Sequence, residues 1–383
     1  MASAHDASES SDPSDLRLFI PGPTHVRRAL LEAQARPMIG HRSSFMRDLM
    51  EAVVPGVAEA LGAHSGSPFV LSCSSTQAME SVARSAVRPG ARALHLVNGN
   101  FSTLWTKLSA ANGIAFDTEE RPWGQGYDEA RTLEALERHG GTYDAVYVTH
   151  CATSTGALSD IAGVARAVRA RQPDALVCVD VTSSAAGTEV LFDERDLDVV
   201  VGGVQKAWAL PPVLALGAVS SRARARFAEV PHRGFANELL TSLKPQEDKG
   251  MPLSTPAIPV LQALRLQLGD IAASGGFSAR FDRHRDMQTL VLDWAARNDF
   301  TTLAEDAFRS PTVTSLDAQG RFEIADLIAG CRERGLFLGG GYGKTKTTHW
   351  RIGHMGDHTP ADVSELLAVH DEVLGGLGAL ATG

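Results

Sequence analysis

Through its first two thirds the chain alternates short β-rich runs with amphipathic helical patterns, and no other feature limits its fold as strongly. Candidate strands cover residues 68–73, 93–97, 144–149, 176–180, 199–202 and 214–219. Helical periodicity fills the gaps, as at 75–87, 133–139 and 161–171. Strands separated by helices line up in a mostly parallel sheet with helices over both faces. Ligands of such sheets sit beyond the carboxyl ends of the strands. Chemistry is therefore expected in the few residues that follow each strand.

The pattern changes after about residue 255. Long helices are expected at 255–273 and 277–298, then a strand at 312–316 and helices at 322–334 and 360–374. A chain of 383 residues exceeds one core and suits a large body with a smaller α+β one. The division is expected as 1–15, 16–254 and 255–383. Residues 1–15 (MASAHDASESSDPSD) are small and polar and read as a disordered tail.

A net charge of −9 and no basic block argue against a nucleic-acid partner. No apolar run reaches membrane-spanning length, and no secretory leader is read at the N-terminus. Cys73, Cys151, Cys178 and Cys331 stand apart without a CxxC pair, so neither a disulfide framework nor a metal site is expected. That usage points to a reducing cytoplasm.

Residues 199–221 read VVVGGVQKAWALPPVLALGAVSS, where Lys206 is the one charged side chain. A lysine there either snorkels to solvent or is kept for chemistry. Ser74-Ser75-Thr76 follows one strand and opens a helix, as a phosphate cradle or an ordinary N-cap. Asp180 ends VCVD, where a carboxylate calls for a cationic partner: a pyridinium N–H, an arginine or a helix start. Phe101 follows VNGN, as a ring over a planar ligand or a core aromatic. His150 ends AVYVTH, as a proton handler or a satisfied core histidine. Asp180-Val181-Thr182 and Gln205-Lys206 complete the polar strand ends. Together these parts fit pyridoxal 5'-phosphate, which takes a lysine, a carboxylate on its ring nitrogen, a phosphate cradle and a stacking ring.

With those residues in place the chain resembles the class V aminotransferases of the fold-type I pyridoxal-phosphate enzymes, in the alanine–glyoxylate, serine–pyruvate and archaeal phosphoserine branch. The matching stretches are FIPGPTHV (19–26), RPMIGHRS (36–43), SSTQAME (74–80), VNGNF (97–101), THCATSTG (149–156), VDVTSS (179–184), GGVQKA (202–207) and GYGKTKTTHWRIGHMGD (341–357). The resemblance implies a mostly parallel seven-stranded large domain that binds the cofactor, with its N-terminal segment also touching the smaller domain. Lys206 would carry the cofactor as a Schiff base and move the substrate's α-proton. Asp180 would pair with the pyridinium, Thr153 would bond the ring hydroxyl, and Phe101 would stack on the ring. Ser74, Ser75, Thr76 and Gln205 would bind the phosphate, with Thr182 at the same edge. His150 stands with Lys206 and Asp180 among the catalytic candidates. Thr255 would reach the phosphate of a neighbouring subunit, implying a homodimer with sites at its interface. Arg351 would clamp the substrate carboxylate, and Gly22, His41 and Arg42 would lie over the entrance.

The chain departs from the family at several of these places. Ser75 stands where glycine is usual in S-G-T, Ala152 where glutamate is usual, Val204 where serine is common, Val213 where a Pro-Pro-Gly turn has glycine, and Pro252 where tyrosine is frequent. The expected reaction is amino-group transfer from a small amino acid to a 2-oxo acid. The alternative keeps the cofactor and performs γ-elimination, γ-replacement or carbon–carbon bond formation on a larger amino acid.

Overall fold

The computed structural model describes residues 16–380, so the expected tail at 1–15 lies outside the described residues. Seven strands form the main sheet: β1 (Ser67–Leu71), β2 (Arg92–Val97), β3 (Ala115–Glu120), β4 (Ala145–Thr149), β5 (Leu176–Asp180), β6 (Val199–Gly203) and β7 (Ala215–Val219). Their order across the sheet is β1-β7-β6-β5-β4-β2-β3. All neighbouring pairs are parallel except those of β7, which runs antiparallel to β1 and β6. The register aligns Leu71, Ala215 and Gly203 at one edge and sets Thr149 opposite Asp180. The carboxyl ends of β1, β2, β4, β5 and β6 therefore share one rim.

Side chains of each buried strand divide between two cores. On β5, Val177 and Val179 join one apolar cluster while Leu176 and Cys178 join the other. That period of two, with apolar residues on both faces, is why the run reads as continuous hydrophobicity. β3 was not among the candidate strands. Its sequence, AFDTEE, lies at the sheet edge and is only partly buried, and charged residues are usual at such edges.

A third core gathers Phe19, Met287, Trp294, Leu316, Trp350 and Leu366. It backs a sheet of β8 (Thr314–Asp317), β9 (Gly339–Gly340) and β10 (His349–Ile352), with β10 in the middle. Arg17–Leu18 pairs in parallel with Leu336–Phe337. The helix Ile258–Ala273, grouped with the smaller body from sequence, instead buries Leu261, Leu264 and Ile271 in the larger core. The chain crosses between cores along Gly276–Arg297, whose Phe277 and Phe281 join the larger cluster and Met287 and Trp294 the smaller. Among the described residues no helix is long and apolar enough to cross a membrane.

Candidate active site

The turn after β6 carries Lys206 and is held on two sides. Thr24 donates its amide to Gln205 O (3.0 Å) and its hydroxyl to Lys206 O (3.0 Å). From the other side Arg280 donates to Ala207 O (2.6 Å) and Gln267 to Trp208 O (3.0 Å). Packing and hydrogen bonds thus fix the backbone that aims the lysine, as a pre-organised site requires. The side chain is 8% exposed and its Nζ donates to Pro21 O. Gly22 passes so close that a Cβ there would lie 2.4 Å from Lys206 Cδ, and its φ is +106°. Only glycine suits both demands.

Burial brings the Lys206 pKa down to about 8, and the charge of Arg351 acts in the same direction. The snorkelling alternative is excluded by this burial. A lysine so placed loses its proton at about pH 8 rather than above 10, which suits a nucleophile or a general base.

Asp180 ends β5 and is 4% exposed. Thr182 N donates to its carboxylate (2.9 Å), and among the described residues no cationic group lies within 4.0 Å of it. Burial raises its pKa. Thr149 and Thr182 turn their hydroxyls to this carboxylate, which opposes the effect of burial, and His150 Nδ1 is buried at this rim with no hydrogen-bond partner among the described residues. Buried polar atoms are nearly always satisfied, so this cluster fits a polar ligand such as a protonated pyridine ring. His150 N donates to Asp180 O (2.9 Å). Burial, with the charge of Arg195, pushes its imidazole down to about 3, which keeps it neutral at physiological pH.

Thr153 is buried, shares a hydrogen bond with Ser183 Oγ, and accepts from Arg351 through its carbonyl (3.3 Å). Arg351, on β10, reaches across from the smaller body. Its Nε donates to Gly340 O (2.9 Å). Both protein acceptors are carbonyls, and among the described residues no carboxylate pairs with it. Burial lowers its pKa to about 10. An unpaired, half-satisfied guanidinium facing a lysine suits a carboxylate ligand.

Phe101 lies with its ring centroid 5.7 Å from Lys206 Nζ, where it would cover a planar ligand. At the start of the helix Ser75–Ala86, Ser74 Oγ accepts from Gln77 N (3.2 Å) and Gln77 Oε1 accepts from Ser74 N (3.0 Å). The N-cap reading of Ser74 is therefore correct as far as its hydroxyl goes. The hydroxyls of Ser75 and Thr76 make no hydrogen bond among the described residues, and their first-turn amides lack intrahelical acceptors. Those groups and the helix dipole fit a phosphate. Gln205 folds its side chain back over Gly203, where a Cβ would lie 2.4 Å from Oε1.

Among the described residues His41, Arg42 and Thr255 make no hydrogen bond to Lys206, Asp180, Thr153 or Arg351. Arg42 is exposed and donates to Leu253 O (3.2 Å), and Thr255 is exposed. Sequence reasoning missed Pro21, Thr24, Ser183, Arg280 and Gln267. The first three fall inside quoted motifs; Arg280 and Gln267 lie on helices and leave no local signal.

Val213, which stands where the resembled family has glycine, adopts φ +117° and is 46% exposed. A β-branched residue there is strained by about 1–3 kcal/mol. Val213→Gly relieves that strain, less the greater chain entropy of glycine, and should raise unfolding stability by about 1 kcal/mol. Urea midpoints check this, and a lower midpoint for the variant would contradict the strain.

With this geometry in hand the comparisons are decisive. The aminotransferase class-V family model matches residues 28–343. The chain belongs to that family. It is 28% identical over 368 residues to the L-aspartate–glyoxylate aminotransferase of Paracoccus denitrificans, covering 94% of this chain and 91% of that protein. It is 30% identical over 363 residues to a Synechococcus protein named as a soluble hydrogenase small subunit, covering 94% and 93%. Among solved structures it superposes on a Thermus thermophilus aspartate aminotransferase with a TM-score of 0.86 at 26% identity, covering 94% of this chain and 99% of that one. The class-V chain is thus a transferase built on a mixed α/β fold with a large, mostly parallel sheet.

Proposed function

We propose that this class-V enzyme transfers an amino group from a small amino acid to a 2-oxo acid with pyridoxal 5'-phosphate held at the sheet rim. The observation that carries it is a buried lysine, with its pKa brought to about 8, beside a buried carboxylate and an arginine that both lack ion-pair partners. When bound, the cofactor supplies the electron sink that makes the substrate's α-proton removable. Lys206 anchors the cofactor and then takes and returns that proton at Nζ. Asp180 holds a proton on the ring nitrogen, and Thr153 and Phe101 orient the ring. Ser75, Thr76 and Gln205 hold the phosphate. Arg351 fixes the α-carboxylate, so that the α-hydrogen faces Lys206. His150, neutral and bonded through its backbone to Asp180, supports the strand end rather than carrying charge. The activities in the names of relatives, aspartate–glyoxylate and serine–glyoxylate, support a small 2-oxo acid as acceptor.

The site is completed by a second copy. Met38, Phe45 and Phe235 are 66%, 67% and 71% exposed, and large apolar side chains left so open support burial against a second copy. There Thr255 of one copy reaches the phosphate of the other, and His41 and Arg42 cover its entrance. The four buried free cysteines support a reducing cytoplasm.

The test is the isolated first half-reaction. With an amino donor alone the reconstituted enzyme should convert to the pyridoxamine form and release a 2-oxo acid, and full turnover should be ping-pong. Light scattering should give a dimer. Loss of a γ-substituent without any pyridoxamine form would establish the alternative chemistry instead.

A further inference from the structure

We propose that Tyr342 is the positioning residue for the Arg351 clamp, holding the guanidinium in the plane that receives an α-carboxylate. The inference rests on the amino-transfer reading and names a residue that reading leaves without a role.

The Arg351 Cζ lies 5.6 Å from the Tyr342 ring centroid. The same ring lies 5.8 Å from the Phe101 centroid, tilted by 30°, and Phe101 in turn faces Lys206 Nζ. Two rings thus join the two unpaired cations of the site. The guanidinium is tied through Nε and one Nη to the carbonyls of Gly340 and Thr153. Those bonds fix one edge and leave the other donors free. With no carboxylate to complete the fork, a long side chain would otherwise swing outward. A ring face beside a cation opposes that motion.

The loop is built to keep the ring there. Gly341 N donates to His349 O (2.7 Å), and Tyr342 N donates to Thr345 Oγ1 (3.2 Å), which donates back to Tyr342 O (3.1 Å). A Cβ on Gly341 would lie 2.0 Å from Thr345 O, so the fold-back requires glycine. Tyr342 remains 42% exposed at the mouth of the site. Among the described residues its hydroxyl makes no hydrogen bond to Arg351, which assigns the role to the ring.

Aminooxyacetate and methoxyamine both capture the cofactor's aldehyde, and only the first carries a carboxylate. Their capture by reconstituted enzyme, followed by absorbance, reads carboxylate recognition without turnover. Tyr342→Ala should weaken capture of aminooxyacetate by about fivefold and leave methoxyamine unchanged. Tyr342→Phe should behave as the native enzyme. Equal effects of Tyr342→Ala on both reagents, no effect on either, or a Phe variant as impaired as Ala would overturn the proposal. Arg351→Lys serves as the reference. If it fails to separate the reagents, the clamp itself is wrong. If it separates them and Tyr342→Ala does not, only the positioning role falls.

Discussion

Changing Lys206 to Ala is expected to lower the rate constant for α-proton transfer by about 10²–10⁴-fold, the usual contribution of a positioned general base. Among the described residues no other ionisable side chain at this point has a suitable pKa. Arg351 stays charged with a pKa of about 10, and His150 stays neutral because burial holds it near 3. Nζ accepts a proton only when it is free. The native rate should therefore rise with pH, level off above about pH 8, and lose that inflection in the variant. The fold should survive, since the Lys206 turn is held by Thr24, Arg280 and Gln267 through backbone carbonyls that alanine retains. Rapid-mixing measurements of the donor half-reaction at pH values on both sides of about 8 decide the matter. A loss below tenfold, or an unchanged inflection, would mean that another base does the work.

The parts of this site that were legible in the sequence are those whose local pattern is anomalous. Lys206 is a charge in an apolar run and Asp180 is a carboxylate ending a buried strand; each conflicts with its surroundings, and such conflicts mark function. The strand Leu176–Asp180 and the helix Ile161–Arg171 fall on their expected residues because the periods are strong and both are flanked by turns. β3 escaped because edge position rather than hydrophobicity defines it. The helix Ile258–Ala273 was legible as a helix, but its apolar stripe carries no label for the core it serves. Arg280 and Gln267 were illegible for the same reason: their role exists only once the Lys206 turn is folded against their helices. Tyr342 lay within a quoted motif, yet its neighbours Phe101 and Arg351 come from different bodies, and only the tertiary fold joins them.

Asp180→Asn should separate stability from activity in opposite directions. In the apoprotein the buried carboxylate is bonded by Thr182 N and by the hydroxyls of Thr182 and Thr149, and among the described residues no cation lies within 4.0 Å of it. Asparagine removes the charge, so the apoprotein should gain about 1–2 kcal/mol at neutral pH. The sign follows from the pKa. Burial raises the folded-state value above the ordinary 3.8, so the unfolded chain gives up this proton more readily and ionisation favours unfolding as pH rises through that window. The advantage of asparagine should therefore vanish in acid, where Asp180 is protonated in both states. With cofactor present the order reverses. A buried ion pair that loses one partner costs about 3–5 kcal/mol, and a protonated ring nitrogen facing asparagine is such a case. Proton abstraction should slow by about 10²–10⁴-fold. The Lys206 inflection should also move below about pH 8, because the carboxylate that favours its ammonium form is gone. Apoprotein melting at several pH values and the donor half-reaction test both halves. A variant that is less stable without cofactor at neutral pH, or that turns over at the native rate, would remove Asp180 from the ring nitrogen.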